Sequence, residues 1–394
     1  MNILAICQYY HPEPMRFTDM CEELVRRGHR VTVLTGVPNY PAGEIYPDYR
    51  HRQQRRENIN GVEIIRCGTH PRKSGTLHRV LNYFSYPLTA CWQVGRLREA
   101  FDVVLVNQQS PVMMGWPAIR YKKKHGKKIV LYCMDLWPAS LTAGGIREGS
   151  LLFRLFHRLS AAVYRQADRI LITSGLFANY LTKEFGIATQ QIRHLPQYAE
   201  ELFTATDPAP HDTVNLMFAG NVGAAQSLDT ILEAAERLKD IPALHWHIVG
   251  DGSERQRLEK SAADKGLSNV LFHGRKPLEE MPAYYAMADA MLVTLCKDPV
   301  ISLTLPGKVQ TYMAAEKPII AAADGETAAV IAAAGCGYCV PAEDNAALAN
   351  AVRRFLEHID SPWGQNGKAY YDRHFRRSEF FNRLEATLYE ISVH

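Results

Sequence analysis

Apolar positions along the chain follow two alternating rhythms. Residues 2–7, NILAIC, hold the short apolar run ILAIC and predict a buried strand. Phe17, Met20, Cys21, Leu24 and Val25 then recur at helical spacing, and Gly28 marks the stop. VTVLTG predicts a second strand, and VVLVN, IVLYC and ILITS are further β-branched runs, each separated from the next by a helical stretch. After PAPHD at 208–212 the rhythm restarts. NLMFAG leads to the helical SLDTILEAAERL, and HWHIVG leads to SERQRLEKSAADKG. Ser253 and Gln256 read as a capping box there, and Gly266 as the helix end. NVLFHG, AMLVTL, KPIIAAA and CGYCVP continue the alternation. Strands alternating with helices of about 10 to 15 residues imply parallel sheets built from βαβ units. Two such series, joined near 200–212, predict an α/β protein of two Rossmann-like domains. Their expected extents are 1–200 and 212–370, with a helix at about 375–394 packing back on the first.

Composition agrees with that size. The chain has 394 residues, 47% of them apolar and 22% charged, which excludes disorder for most of it and fits two domains of roughly 100 to 200 residues each. No run approaches the roughly 18 apolar residues of a membrane span. The opening run has no basic flank and is too short for a signal peptide, so a cytoplasmic chain is expected. Eight cysteines lie scattered, mostly inside apolar runs, as suits a reducing compartment. Cys336 and Cys339 form a single CxxC with no second pair and no nearby histidine, and GCGYCVP reads as a short strand, so neither zinc nor a thioredoxin-like site is expected.

Charge is unevenly placed. Residues 1–200 hold 27 Lys and Arg against 15 Asp and Glu, a net of +12, and the remainder is net −8. The basic first half points to an anionic partner, such as a phosphate-bearing substrate or a lipid surface. No nucleic-acid-binding motif accompanies it.

Glycines stand where strands of the second half meet helices, in FAGNVG (Gly220, Gly223) and VGDG (Gly250, Gly252). Glycine lets backbone amides approach a phosphate, and a helix start adds the positive end of its dipole. Neither segment is the dinucleotide GxGxxG, and no acidic residue follows at the right distance, which disfavours a nicotinamide dehydrogenase. The ordered set FAGNVGAAQSLDTILEAA, WHIVGDGSERQRLE, VLFHGRKPLEEMPAYYAMADAMLV, LPGKVQTYMAAEKPIIAA and GCGYCVPAEDNAALANAV resembles the nucleotide-sugar domain of family 4 retaining glycosyltransferases. That family has the GT-B fold, two Rossmann-like domains facing each other across a cleft. YYHPEP, GVPNYPAGEIYPDY and MDLWPASL in the first half resemble the branch containing bacterial O-antigen, capsule and colanic-acid transferases, most closely N-acetyl-L-fucosaminyl transferases.

The resemblance implies a UDP-sugar donor held mainly by the second domain. Gly274 and Arg275 would meet the uracil. The turn from Gly220 through Asn221, Gly223 and Gln226, the Leu303–Thr304 segment, and Gly307 and Lys308 would surround the diphosphate, with Lys308 as the fixed positive charge. A lysine two residues into a helix is disfavoured by the dipole unless an anion sits there. The sequence departs from the family at several of these positions. Asn221 and Gln226 replace a common Arg and Lys. Leu303 and Thr311 replace paired glutamates, the second of which usually binds the ribose. Diphosphate charge is then expected to fall more heavily on Lys308 and Arg275.

On the acceptor side, Met134 and Asp135 leave the C-terminal end of a buried strand, the edge where open α/β sheets bind ligands. Asp135 is expected near the acceptor hydroxyl or the sugar ring, and a turn aspartate is its bland alternative. Met134 stands where many relatives have a histidine that contacts the donor's 6-hydroxyl, and a methionine there fits a 6-deoxy sugar. Glu13, His11 and Arg16, in and after the YYHPEP loop, complete this side, with Arg16 toward the acceptor phosphate. Asp135, Glu13 and Lys308 are the catalytic candidates. The family shows no fixed carboxylate nucleophile, so front-face attack is expected, with the leaving UDP phosphate taking the proton. No DxD motif is present and Asp289 and Asp298 stand apart, so no obligatory metal is expected.

The implied acceptor is an undecaprenyl-pyrophosphate-linked saccharide, which places the chain on the inner face of the cytoplasmic membrane. RKSGTLHRVLNYFSYPLTACWQVGRLR at 72–98, with Tyr83, Phe84, Tyr86 and Trp92, reads as a helical hairpin lying in the interface, and YKKKHGKK at 121–128 adds charge. Two other readings remain open: a GT-B-type UDP-sugar epimerase, and a catalytically silent nucleotide-sugar-binding protein.

Overall fold

The structure, a computed structural model, describes residues 1–41, 43–52, 54–73, 75–142, 145–203 and 212–393. The loop expected at 208–212 lies, except for Asp212, outside them. The chain divides into two compact units. One holds Met1–Thr173, Phe177–Leu195 and the chain from Phe381 on; the other holds Ser174–Leu176 and Pro196–Phe380.

The first unit opens with β1 (Asn2–Ile6), α1 (Arg16–Arg26), β2 (Arg30–Gly36), β3 (Arg56–Ile59) and β4 (Val62–Cys67). It continues with α2 (Thr76–Val94), β5 (Val103–Gln108), α3 (Trp116–His125), β6 (Lys128–Cys133), α4 (Leu151–Gln166), β7 (Arg169–Ile172), α5 (Phe177–Phe185) and β8 (Ile192–His194). Among the described residues these strands form one sheet in the order β3-β4-β2-β1-β5-β6-β7-β8. All neighbours are parallel except β3 and β4. Residues on β1, β5 and β6 are buried on both faces, which is why these strands read as unbroken apolar runs.

The antiparallel β3–β4 hairpin corrects the all-parallel expectation. Asn60 (φ 52°) and Gly61 (φ 83°) form its turn, a residue pair suited to two consecutive positive φ angles. β3 is short, polar and half-exposed, so it carries no apolar run for a periodicity argument to find.

The second unit runs β9 (Val214–Ala219), α6 (Asp229–Arg237), β10 (Leu244–Val249), α7 (Arg255–Asp264), β11 (Val270–Gly274), α8 (Met281–Ala286) and β12 (Ala290–Thr294). Then come α9 (Gly307–Ala314), β13 (Ile319–Ala322), α10 (Gly325–Ala334), β14 (Gly337–Val340), α11 (Asn345–Glu357) and α12 (Trp363–His374); α13 (Arg377–Val393) starts in this unit and passes into the first at Phe381. The second unit's sheet, wholly parallel, has the order β11-β10-β9-β12-β13-β14. Even-numbered residues of β10, such as Trp246 and Ile248, enter one apolar layer, while Val249 enters the layer on the other face. Cys339 lies within β14, and burial pushes its thiol up to about 11 and that of Cys336 to about 12, leaving both protonated and unreactive.

Two local expectations are corrected. α7 begins at Arg255 after Glu254 with no side-chain cap, so Ser253 and Gln256 form no capping box. Residues 76–94 are one helix rather than a hairpin; Pro87 lies inside it. Tyr83 (8% exposed) and Tyr86 (0%) face the core, whereas Trp92 (55%) stands in solvent.

The chain from Phe381 on belongs to the first unit through polar contacts at the N-terminal end of its sheet. Glu385 accepts from Arg27 Nη1 at 2.8 Å and pairs with His29 Nε2 at 2.7 Å, and Glu390 pairs with Arg169.

Candidate active site

In the second unit the chain winds outward from β9 in one direction and from β12 in the other. The loops leaving these two strands therefore part, and a crevice opens at the C-terminal edge of the sheet. Gly220, Asn221, Gly223 and Gln226 follow β9, and Leu303, Thr304, Gly307 and Lys308 follow β12.

Lys308 is the second residue of α9, whose N-cap Pro306 gives no side-chain cap and whose first turn holds no acid. The amides of Gly307 and Lys308 are thus open at the positive end of the helix, while Val309 N donates to Pro306 O at 3.0 Å. Lys308 Nζ donates to Gln226 Oε1 at 2.6 Å and lies 3.8 Å from the centroid of the Phe218 ring. A Cβ on Gly220 would come within 3.1 Å of that Nζ, so glycine there makes room for the ammonium. Gln226 is fixed in turn, since its carbonyl accepts from Thr294 Oγ1 at 2.6 Å. Among the described residues no carboxylate pairs with Lys308, and desolvation lowers its pKa to about 7. A desolvated ammonium with an amide oxygen and a ring for company is stabilised by an added anion, whose charge would restore the full positive charge on the lysine.

The other donor-side candidates fall into different environments. Asn221 is exposed. Thr311 is buried (4%) and its Oγ1 donates to Gly307 O at 3.0 Å, so its remaining capacity is as an acceptor. The carbonyls of Leu303 and Thr304 accept from Ser174 Oγ and Thr327 Oγ1. Gly274 takes φ +70° against the Arg255 guanidinium, while Arg275 beside it is exposed and has no ion pair among the described residues.

Gly250 and Gly252 have a packing reason of their own. A Cβ on Gly250 (φ +144°) would lie 1.8 Å from Gly220 O, and one on Gly252 would lie 2.2 Å from Val222 O. The two loops touch backbone to backbone, and this contact sets the height of the Gly220 turn. Gly250→Ala is expected to lower stability by at least about 1 to 3 kcal/mol from backbone strain alone, with the clash in addition. Gly28→Ala, also at positive φ (+88°) but with nothing within 4 Å of the added Cβ, is the control for strain without clash. Equal urea midpoints for the two variants would show that the loop contact is slack.

In the first unit the winding reverses between β1 and β5. Met134 and Asp135 leave β6 one strand away. Asp135 Oδ2 accepts from Trp137 Nε1 at 3.2 Å and from Ser140 Oγ at 3.0 Å, and burial raises its pKa against those donors. Its carboxylate is thus held by donors two and five residues on, within the turn that follows β6. Met134 Sδ lies 4.0 Å from Gln109 Nε2, and Met15 Sδ lies 3.9 Å from the same nitrogen. The sequence reading passed over Gln109, because a glutamine at a strand end carries no spacing signal. His11 is half-buried beside a cis bond to Pro12, and Arg16 opens α1.

Glu13 departs most from its expected role. It is 3% exposed. Oε1 accepts from Asn39 N at 2.8 Å and Tyr40 N at 2.7 Å, and Oε2 accepts from Tyr10 N at 2.9 Å. The carboxylate ties the loop after β1 to the loop after β2, and Asn39 Oδ1 extends the tie to Arg72 N at 3.0 Å. Burial still pushes its pKa up to about 7, against the pull of the three N–H donors.

Among the described residues no three His, Cys, Asp or Glu side chains converge as metal ligands. None of the described helices is long and apolar enough to cross a membrane.

Residues 15–197 match the glycosyl transferase 4-like domain, and residues 213–358 match glycosyl transferases group 1. WbjE of Pseudomonas aeruginosa, named as a glycosyltransferase, is 30% identical over 291 residues, 70% of this chain and 69% of its own. The chain belongs to the group 1 glycosyltransferases. WcaI of Escherichia coli (strain K12), named for glycosyl transfer in colanic acid biosynthesis, is 26% identical over 380 residues, 90% of this chain and 92% of its own. The Anabaena Alr3699/HepE structure in complex with UDP-glucose superposes with a TM-score of 0.72 at 15% identity, covering 99% of this chain and all of the other. This glycosyltransferase accordingly has the GT-B architecture of two Rossmann-like α/β domains. Phe218 and Thr294 border the candidate site and carry no sequence signal for it; each reads as ordinary strand core until Lys308 is found against the Phe218 ring and Gln226 O against Thr294 Oγ1.

Proposed function

We propose that this chain is a retaining glycosyltransferase that moves a sugar from a UDP-sugar to a lipid-pyrophosphate-linked saccharide in the assembly of O-antigen, capsule or exopolysaccharide. The observation that carries the reading is Lys308, desolvated and without a carboxylate partner among the described residues, at the open start of α9 beside Gly220. This arrangement suits a diphosphate, and the UDP-glucose complex of HepE and the colanic acid name of WcaI support the donor class and the setting. Lys308 and the α9 amides stabilise charge developing on the leaving diphosphate. The acceptor hydroxyl attacks from the same face, and its proton passes to the leaving phosphate oxygen. Asp135, oriented by Trp137 and Ser140, stands beside the acceptor. Glu13 shapes that side by holding its loops.

The donor sugar is read as N-acetyl-L-fucosamine, because Met134 would meet its C6 methyl. Burying a 6-hydroxyl there costs roughly 1 to 3 kcal/mol, a preference of about 5- to 150-fold over UDP-N-acetylglucosamine. Met134→His is expected to narrow that preference. Gln109→Leu tests whether the neighbouring amide offsets part of it. Specificity constants for both donors decide the matter, and a wild type using the 6-hydroxylated sugar equally well ends this assignment.

A membrane surface is the proposed setting. The exposed large apolar side chains of α2, Leu77, Val80, Leu81, Leu88 and Trp92, recur at helical spacing along about 22 Å of helix. The 19 residues of α2 include no acid.

A further inference from the structure

Gln109 follows β5 at the C-terminal edge of the first sheet, and three thioether sulfurs stand around it. Its side-chain nitrogen lies 3.9 Å from Met15 Sδ and 4.0 Å from Met134 Sδ, so an amide with two N–H donors meets two sulfurs. Its backbone N–H donates to Met114 Sδ at 3.4 Å. Met15 and Met134 are half-buried, whereas Met114 is wholly buried.

A thioether is a weak acceptor, and at these separations it satisfies an amide N–H poorly. Oxidation changes that. A sulfoxide puts a polar oxygen on the sulfur, and an oxygen on the amide side brings the acceptor to about 2.9 Å from the nitrogen. The two lone pairs of a methionine sulfur give opposite sulfoxide epimers, so a donor fixed on one side selects one epimer. The cysteines do not compete for an oxidant. Burial raises the pKa of all eight, so at neutral pH they are thiols rather than the thiolates that peroxides attack.

We propose that Met15 and Met134 form a peroxide-sensitive site in which Gln109 holds the sulfoxide oxygen, and that oxidation of Met134 turns donor preference toward 6-hydroxylated sugars. The sulfur attacks the terminal oxygen of a hydroperoxide; the S–O bond forms as the O–O bond breaks. Sulfur gives up two electrons, and the terminal proton passes to the departing oxygen, which leaves as an alcohol or as water. The change in preference rests on the donor reading above, in which Met134 meets C6 of the sugar. There the sulfoxide oxygen keeps a lone pair for a 6-hydroxyl that the thioether leaves unpaired.

The test treats the full chain with hydrogen peroxide and stops the reaction with catalase. Peptide mass spectrometry then locates the added oxygens: Met15 and Met134 should each gain one, and Met114 none. Sulfoxide configuration survives digestion, so the Met134 peptide is offered to the two methionine sulfoxide reductases, each of which reduces one epimer. The peptide from folded wild type should be reduced by one enzyme and scarcely by the other. The same peptide oxidised after digestion should be reduced about equally by both. Gln109→Leu and Gln109→Ala, with melting temperatures showing which of them folds, should move the folded protein toward that equal ratio.

The ratio of specificity constants for the 6-deoxy and 6-hydroxylated donors reads the second half of the proposal. Oxidised wild type should lose about 2- to 12-fold of its preference, the worth of one hydrogen bond. Met134→Leu should show no change with peroxide. Equal epimers from folded wild type, a single epimer that persists without Gln109, or oxidation of Met114 beside Met134 overturns the site. An unchanged preference in fully oxidised wild type, or the same change in Met134→Leu, overturns the switch. A wild type with no preference at the start ends the donor reading and the switch together, and the epimer ratio alone then decides the site.

Discussion

Lys308→Ala is expected to weaken UDP binding by about 10- to 150-fold, since one charge-assisted contact to phosphate contributes about 1.5 to 3 kcal/mol. The fold should survive, because among the described residues the lysine is held by Gln226 and the Phe218 ring and leaves no buried acid stranded. The same residue makes binding pH-dependent with a definite sign. In the free protein desolvation lowers its pKa to about 7, and a bound diphosphate raises it again. Affinity should therefore be full below about pH 7 and fall as pH rises above it, until the raised pKa of the complex is passed. Above pH 7 the phosphate groups, with a second pKa of about 6, are themselves ionised, so the uptake of about one proton on binding at pH 8 belongs to the protein. Calorimetry in two buffers of different ionisation enthalpy measures that uptake. Lys308→Ala should show none. Unchanged affinity in this variant, or a wild type that binds without taking up a proton, would remove the diphosphate from this site.

Glu13→Ala is the other large effect, and it acts on stability. Three buried backbone N–H groups, of Tyr10, Asn39 and Tyr40, would lose their acceptor together. Each unsatisfied donor costs about 1 to 3 kcal/mol, so several kcal/mol should be lost even after water enters. Glu13→Gln keeps an oxygen for Asn39 and Tyr40 and gives up only the Tyr10 contact, so it should recover most of the loss. Urea denaturation of the three proteins, with turnover measured beside it, separates the roles. If Glu13→Gln were as stable as wild type but inactive, Glu13 would be a proton-transfer group and the loop-tying role would be wrong. The expected order is Glu13→Ala far below Glu13→Gln in stability, with turnover following stability.

Much of the architecture was legible in the order of residues because strands and helices are local objects. An unbroken apolar run such as ILAIC or IVLYC can hardly be anything but a strand buried on both faces, and a 3.6-residue rhythm between such runs closes a parallel crossover. The glycines of FAGNVG and the lysine of LPGK were visible for the same reason: a phosphate-approaching turn and a misplaced cation at a helix start are signals within a few residues. The Asn60-Gly61 hairpin was equally local, but its polar first strand gave the apolar pattern nothing to mark.

What only the tertiary structure decided are relations between distant residues. Lys308 meets Gln226, 82 positions earlier, because the strand order sets β9 beside β12, and no periodicity encodes that order. Glu13 looked like a cleft-facing acid until the loop after β2 supplied two amides to its carboxylate. Gly250 looked like a phosphate-binding glycine until Gly220 O was found where its side chain would be. On α2, four aromatics counted as one interfacial set in the sequence, yet packing buried Tyr83 and Tyr86 and left Trp92 outside. Local chemistry names the groups a chain carries. Which face of each element is covered, and which buried charge has a partner, depends on contacts closed across tens of residues, and these exist only once the sheets have formed.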